Sequence, residues 1–242
     1  MPTVASMEMV QTAVVLTQNA PPPGFSQVAF PQIDANLVKH PAWHSTIQLT
    51  FDGYLADTSE KAQGSLFADV YSDELTGNRR VLLKASGTAF GMDSIRDVEG
   101  VRLGTDYYLV DANKACTKIA NPAAEKQVAD LAATPLIGGV RKAQTAGHHK
   151  NDHNVDVWEY TFAPDSVVVP GIAQPGTNGS LDVVAGDLWI APALNAVWEY
   201  TVTFDATNVI VQGTHPLTGK LRADYQLVEA DKQYNIAIPF GC

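Results

Sequence analysis

Val157-Trp158-Glu159-Tyr160-Thr161 recurs as Val197-Trp198-Glu199-Tyr200-Thr201. Both copies are rich in β-branched and aromatic residues and read as β-strands. Side chains alternate faces along a strand. One face of the first copy therefore carries Trp158, Tyr160 and Phe162, and the matching face of the second carries Trp198, Tyr200, Val202 and Phe204. The opposite faces carry Glu159 and Thr161, then Glu199, Thr201 and Thr203. Two strands with one greasy and one wet face imply a sheet that wraps something on one side. The pentapeptides do not extend into a longer repeat, so the chain is not a repeat array.

Similar alternation fills the chain between and around these copies. Ile47, Leu49, Phe51 and Leu55 alternate with polar residues in 46–55; Leu66, Ala68 and Val70 share a face in 64–71, as do Val81, Leu83 and Ala85 in 79–89. Polar turn compositions link these three segments, the signature of an antiparallel meander. A hairpin is expected over 98–103 and 106–111 around Gly104, then a strand near 115–119. Ser180–Ala185, Gly186–Ala191, Val197–Phe204, Thr207–Gly213 and Leu221–Glu229 read as further strands, and Tyr234–Pro239 closes the chain.

Non-β segments are few. Met7, Val10 and Val14 have helical spacing, although Val14-Val15-Leu16 equally begins a strand; Pro21-Pro22-Pro23-Gly24 ends that segment. Ser26–Phe30 reads as a short strand, and Asp34 as the cap of a brief helix over Ala35–Lys39. Asn121-Pro122 marks a helix start, with the helix running to about Ala133 and stopping before Pro135. Leu136-Ile137-Gly138-Gly139-Val140 reads as a flexible link, and the Pro- and Gly-rich stretch 164–180 as a loop.

Summed, the pattern predicts a mostly β, α+β architecture: a strongly curved antiparallel sheet or unclosed β-barrel of about eleven strands, with short helices over its concave side. The expected organisation is an N-terminal segment, 1–44, packing on one β domain, 45–242. A chain of 242 residues can bury a sizeable core as one such unit.

A formal charge of −10 argues against nucleic acid and against electrostatic attachment to anionic lipid. No apolar run is long enough for a transmembrane helix, and Met1-Pro2-Thr3-Val4 does not open a signal peptide. Cys116 and Cys242 are the two cysteines. A disulfide between them, which an oxidising compartment would permit, is favoured over two free thiols.

Chemical motifs are sparse. His148-His149-Lys150-Asn151-Asp152-His153, with Asp156, is the densest polar cluster, but its spacing matches no metalloenzyme signature, and a solvated turn is the favoured reading. There is no G-x-S-x-G elbow and no phosphate-binding glycine loop. Asn178-Gly179-Ser180 is a formal glycosylation sequon.

One resemblance rests on Pro21-Pro22-Pro23-Gly24-Phe25, Tyr107-Tyr108-Leu109-Val110-Asp111 before Cys116, Leu136–Val140, Trp158–Phe162, Gly186-Asp187-Leu188-Trp189-Ile190-Ala191 and Ile238-Pro239-Phe240-Gly241-Cys242. With these, most of 45–242 resembles exported bacterial lipoproteins of the LolA/LolB and LppX/LprG-like superfamily. That resemblance implies an unclosed barrel holding acyl chains, an exported location and no catalytic residues. The lipidated N-terminal Cys typical of such proteins is not found near residue 1.

The expected function is therefore non-enzymatic binding of a lipid or other hydrophobic ligand in the concave face, with no cofactor and no metal. The expected lining is Leu49, Phe51, Leu66, Trp158, Tyr160, Trp198, Tyr200 and Phe204. The protein is expected to be a monomer, located in the periplasm, at the cell surface or outside the cell. A membrane partner would enter only through an N-terminal anchor that this sequence lacks. The competing reading is a cell-surface structural or interaction module with the same fold and a filled core; a metal-dependent hydrolase using residues 148–156 stands behind both.

Overall fold

The computed structural model describes residues 20–120, 123–150, 155–211 and 215–242, with backbone alone over 92–95. The helix or strand expected within 5–16, the cap at Asn121-Pro122 and the turn residues 151–154 lie outside the described residues. The described strands are β1 (Gln27–Phe30), β2 (Ala42–Leu55), β3 (Lys61–Asp73), β4 (Asn78–Gly87), β5 (Met92–Leu103), β6 (Asp106–Val110), β7 (Cys116–Ile119), β8 (Gly139–Lys150), β9 (Asp156–Thr161), β10 (Val167–Val168), β11 (Ala173–Ala191), β12 (Ala196–Val211) and β13 (Leu217–Ala230). All belong to one antiparallel sheet in the order β1-β8-β9-β11-β12-β13-β2-β3-β4-β5-β6-β7, with β10 beside β8. The two ends of that path, β1 and β7, do not pair with each other, so the curved sheet is unclosed, as the alternation predicts.

Two short helices, α1 (Ala123–Ala129) and α2 (Ala133–Ile137), join β7 to β8. The sequence pattern predicts one helix up to Ala133 and a flexible link after Pro135. Instead Pro135 sits in the first turn of α2, where its missing N–H costs nothing, and Leu136 and Ile137 are buried. Gly138 makes the bend. Its φ is +78°, and an added Cβ would lie 1.8 Å from the Val168 carbonyl oxygen, so only glycine fits. Asp34 does not cap Ala35–Lys39, a 3-10 turn without a side-chain cap. Its carboxylate caps α2 instead, accepting the Ala133 N–H at 2.8 Å and the Thr134 hydroxyl at 3.2 Å.

The stretch 164–180 also departs from expectation. Val167–Val168 pairs with β8, and from Ala173 onward the chain is strand. Over 173–180 that strand pairs with β12 alone, since its contact with β9 is confined to 188–190. Pro175 is therefore on an edge, where no partner strand needs its N–H. Asn178 and Asn208 take positive φ at the irregularities of this ribbon.

The core face of the sheet carries the aromatic residues of both pentapeptides, and the helices and residues 31–41 cover it. Phe30, Ile33, Leu37, Leu136 and Ile137 join the same buried cluster as β2, β12 and β13, with α2 packed on β13 and β2. Tyr160 donates its hydroxyl to the Phe25 carbonyl at 2.6 Å, and Tyr200 to the Gly139 carbonyl at 3.4 Å. Among the described residues no helix is long and apolar enough to cross a membrane.

Candidate functional site

The outer face of the sheet carries mostly polar side chains, with Trp189 and Tyr54 among the exceptions, and the C-terminal tail crosses part of it. The tail leaves β13 and docks Tyr234 edge-on against Tyr71, centroids 5.2 Å apart, with its hydroxyl donating to Glu229 Oε2 at 3.0 Å. Tyr71 in turn stacks on His44 at 4.1 Å and donates to Asp69 Oδ2, while the His44 ring is joined to Asp69 Oδ1. Next, Ile236 packs on Val101 and Tyr108 in a small cluster separate from the main core. The tail then ends at Cys242, which is disulfide-bonded to Cys116 of β7 with Cα atoms 5.3 Å apart. Cys116 and Val110 are register partners on neighbouring strands, so the bridge pins the tail end beside the outer face of β6.

Between the pinned tail and the sheet runs a groove of about 640 Å³. Its apolar lining includes Phe67 of β3, Leu82 and Leu83 of β4, Val98 of β5, Val110 of β6 and Phe240 of the tail. Phe67 is 37% exposed, and Phe240 is fully exposed, on a face where alternation calls for polar side chains. The charged rim is largely self-paired: Lys84 lies 3.9 Å from Asp97, and Glu99 is held by Arg80 at 2.7 Å. Lys114 makes no side-chain ion pair among the described residues. Such an arrangement can take up apolar surface.

A second, polar cleft of about 360 Å³ lies on the same face and shares Phe67 with the groove. It is lined by Thr46, Gln48 and Thr50 of β2, Arg222, Asp224 and Gln226 of β13, and Glu199 and Thr201 of β12. Arg222 forks onto Asp224, with Nη2 at 2.7 Å, and the Thr201 hydroxyl donates to the same carboxylate at 2.9 Å. Partial burial, then the neighbouring Asp224 and Asp187 carboxylates, push Glu199 above the usual carboxylate range.

The eight residues expected to line a ligand cavity are all brought together, but in the core. Leu49, Tyr200 and Phe204 are fully buried, and Phe51, Leu66, Trp158, Tyr160 and Trp198 are at most 6% exposed. A ligand lodged among them has to displace protein already packed there. Trp158 also reaches the wall of a further groove, with Pro21, Pro22, Pro23, Phe25 and Pro192. Of the histidine cluster, His148 stacks on Trp158 at 4.5 Å and lies 3.4 Å from Asp156, and His149 packs edge-on against Trp189. Among the described residues no group of three His, Cys, Asp or Glu side chains could hold a metal. Sequence reasoning does not find the groove under the tail, although Phe67 and Leu82 interrupting a polar face, and Phe240 beside a terminal Cys, are visible signals.

No protein-family model and no curated protein matches the chain. Two solved structures align along most of it. An uncharacterized conserved protein from Thermus thermophilus is 13% identical over 85% of this chain and 85% of its own, with a TM-score of 0.31. A DUF1329 family protein from Desulfovibrio piger is 8% identical over 86% of this chain and 95% of its own, with a TM-score of 0.18.

Proposed function

We propose that this is an exported, non-enzymatic protein that binds a lipid or other hydrophobic small molecule in the groove beneath the C-terminal tail. The observation that carries the reading is the set Phe67, Leu82, Val110 and Phe240, apolar and gathered around a 640 Å³ space on a largely polar sheet face. Covering such surface is favourable by roughly 25 cal/mol per Å² before ordering costs. The disulfide supports an oxidising location, since such bridges persist mainly outside the cytosol. It also supports a preformed site, because the wall that carries Phe240 is tethered two residues further on.

A second reading, an interaction module with a filled core, is favoured by the packing of the eight aromatic and aliphatic core residues. In that reading Phe240 would anchor a protein partner. Fluorescence titration with a dansyl-labelled fatty acid separates the two. The lipid reading expects saturable binding near one equivalent, weakened about tenfold or more by Phe240→Ser, the order expected for losing one buried aromatic. An unchanged probe signal in the wild type would leave the interaction reading standing.

A further inference from the structure

We infer that the ligand of the groove carries a neutral, hydroxyl-rich headgroup, a sugar or polyol, seated in the polar cleft beyond Phe67. The inference rests on the lipid-binding reading above and deepens it. Strand register makes the two spaces one trough. Thr201, Asp224, Gln48, Phe67 and Lys84 are successive cross-strand partners from β12 to β4, as are Glu199, Gln226, Thr46, Asp69 and Leu82 in the neighbouring row. From β12 to β5 the trough spans five strand spacings, roughly 24 Å along the sheet. Its two halves differ in kind. From Phe67 toward β6 its floor is apolar within a charged, largely self-paired rim; from Phe67 toward β12 it is lined by amides, hydroxyls and charges.

The chemistry of the polar half selects the headgroup. Among the described residues, Gln48, Gln226, Thr46 and Thr50 spend no side-chain hydrogen bond on the protein, so their donors and acceptors are open to a ligand. Such groups match hydroxyls, which both donate and accept. A phosphate or carboxylate headgroup would meet Glu199 and Asp224, with Asp187 close by, against the single lining cation Arg222, which is already committed to Asp224. A quaternary ammonium headgroup would gain attraction from Glu199 but could accept nothing from the amides and hydroxyls. Phe67, at the junction, offers a ring against which the apolar face of a sugar can pack while the chain continues toward Leu82.

The test holds the chain constant and varies the headgroup. Decyl glucoside, decanoate and decyltrimethylammonium are titrated calorimetrically, below their micelle-forming concentrations, into the wild type, Phe240→Ser, Lys114→Ala and the double variant Gln48→Val/Gln226→Val. Both glutamines are exposed, and valine suits a strand, so the double variant keeps the sheet. The expected result is glucoside binding about tenfold or more tighter than the other two, a preference that falls about tenfold in the glutamine variant, the scale of one or two hydrogen bonds, and that persists in Phe240→Ser while all three affinities weaken together. Equal affinities that all fall in Phe240→Ser would overturn the headgroup inference and leave the lipid-binding reading intact. A decanoate preference abolished by Lys114→Ala would overturn it in favour of an anionic headgroup at the apolar end. If no decyl compound binds, both readings fall.

Discussion

The Asp34 carboxylate caps a helix that begins 99 residues further along the chain, accepting the Ala133 backbone N–H at 2.8 Å while Thr134 donates its hydroxyl to the other oxygen. α2 is only five residues long and has no local side-chain cap. A helix that short does not persist on its own. Asp34 therefore ties the N-terminal segment, the helix and the core face of β2 and β13 into one unit. Asp34→Ala is expected to cost about 1–2 kcal/mol in urea unfolding, the usual loss for a helix cap, with Asp34→Asn recovering most of it.

Gly138→Ala should be worse than an ordinary glycine substitution. The backbone there has φ +78°, and the new methyl would meet the Val168 carbonyl at 1.8 Å. A loss of about 3 kcal/mol or more is expected from thermal melting, because both the left-handed conformation and the clash must be relieved. An unchanged melting temperature would mean that the β10 contact is not made in solution.

The bridge between Cys116 and Cys242 spans 126 residues of sequence. Chain-entropy reasoning gives such a loop about 4–5 kcal/mol of stabilisation. Cys116→Ser/Cys242→Ser should lower stability by that order. It should also free the tail, so that Phe240 no longer walls the groove and the fatty-acid probe binds more weakly. Thiol titration of the denatured, unreduced wild type should detect no free thiol.

Alkaline pH should destabilise the protein steeply. Burial pushes the Tyr160 hydroxyl up to about 12 and raises Tyr200 and Tyr225 further. In the unfolded chain these phenols ionise near 10. Between those values the folded state holds protons that the unfolded state has released, so stability falls as pH rises through about 10 and beyond. Tyr160→Phe should remove part of that slope in pH-dependent urea titrations.

Glu199 has the same sign at lower pH. Its raised affinity for a proton means the folded form is relatively favoured when the carboxyl is protonated, so its ionisation opposes folding as pH rises through the carboxylate range. Glu199→Gln should give a small rise in melting temperature at neutral pH that disappears in acid, where the wild-type carboxyl is already neutral.

Much of the fold is legible in the sequence because period-two alternation reports burial on one face. Leu49 and Phe51, or Tyr200 and Phe204, point inward as their spacing requires. Segments governed by long-range partners are not legible. Pro175 and Asn178 look like loop residues and become strand because β12 supplies the pairing. Leu136 and Ile137 look like a link and become helix because Asp34 completes the first turn. The groove is hidden for a related reason. Phe67, Leu82 and Val110 come together through register across four strands, and Phe240 joins them only because the disulfide returns the tail to β7. The alternation that predicts a greasy interior identifies the packed core, whose rings have protein partners such as Phe25 and Gly139.

If apolar surface under the tail holds a lipid, as proposed, one substitution at the groove floor should empty it. Leu82 lies on the outer face of β4, only partly buried, so Leu82→Glu can be made without opening the core. Native mass spectrometry of the wild type and of Leu82→Glu, each incubated with the same mixed lipid extract, reads occupancy directly. The predicted result is a lipid-sized mass adduct near one equivalent on the wild type, absent from a Leu82→Glu variant that melts normally. Equal adducts on both proteins, or none on either, would mean that the groove does not hold lipid.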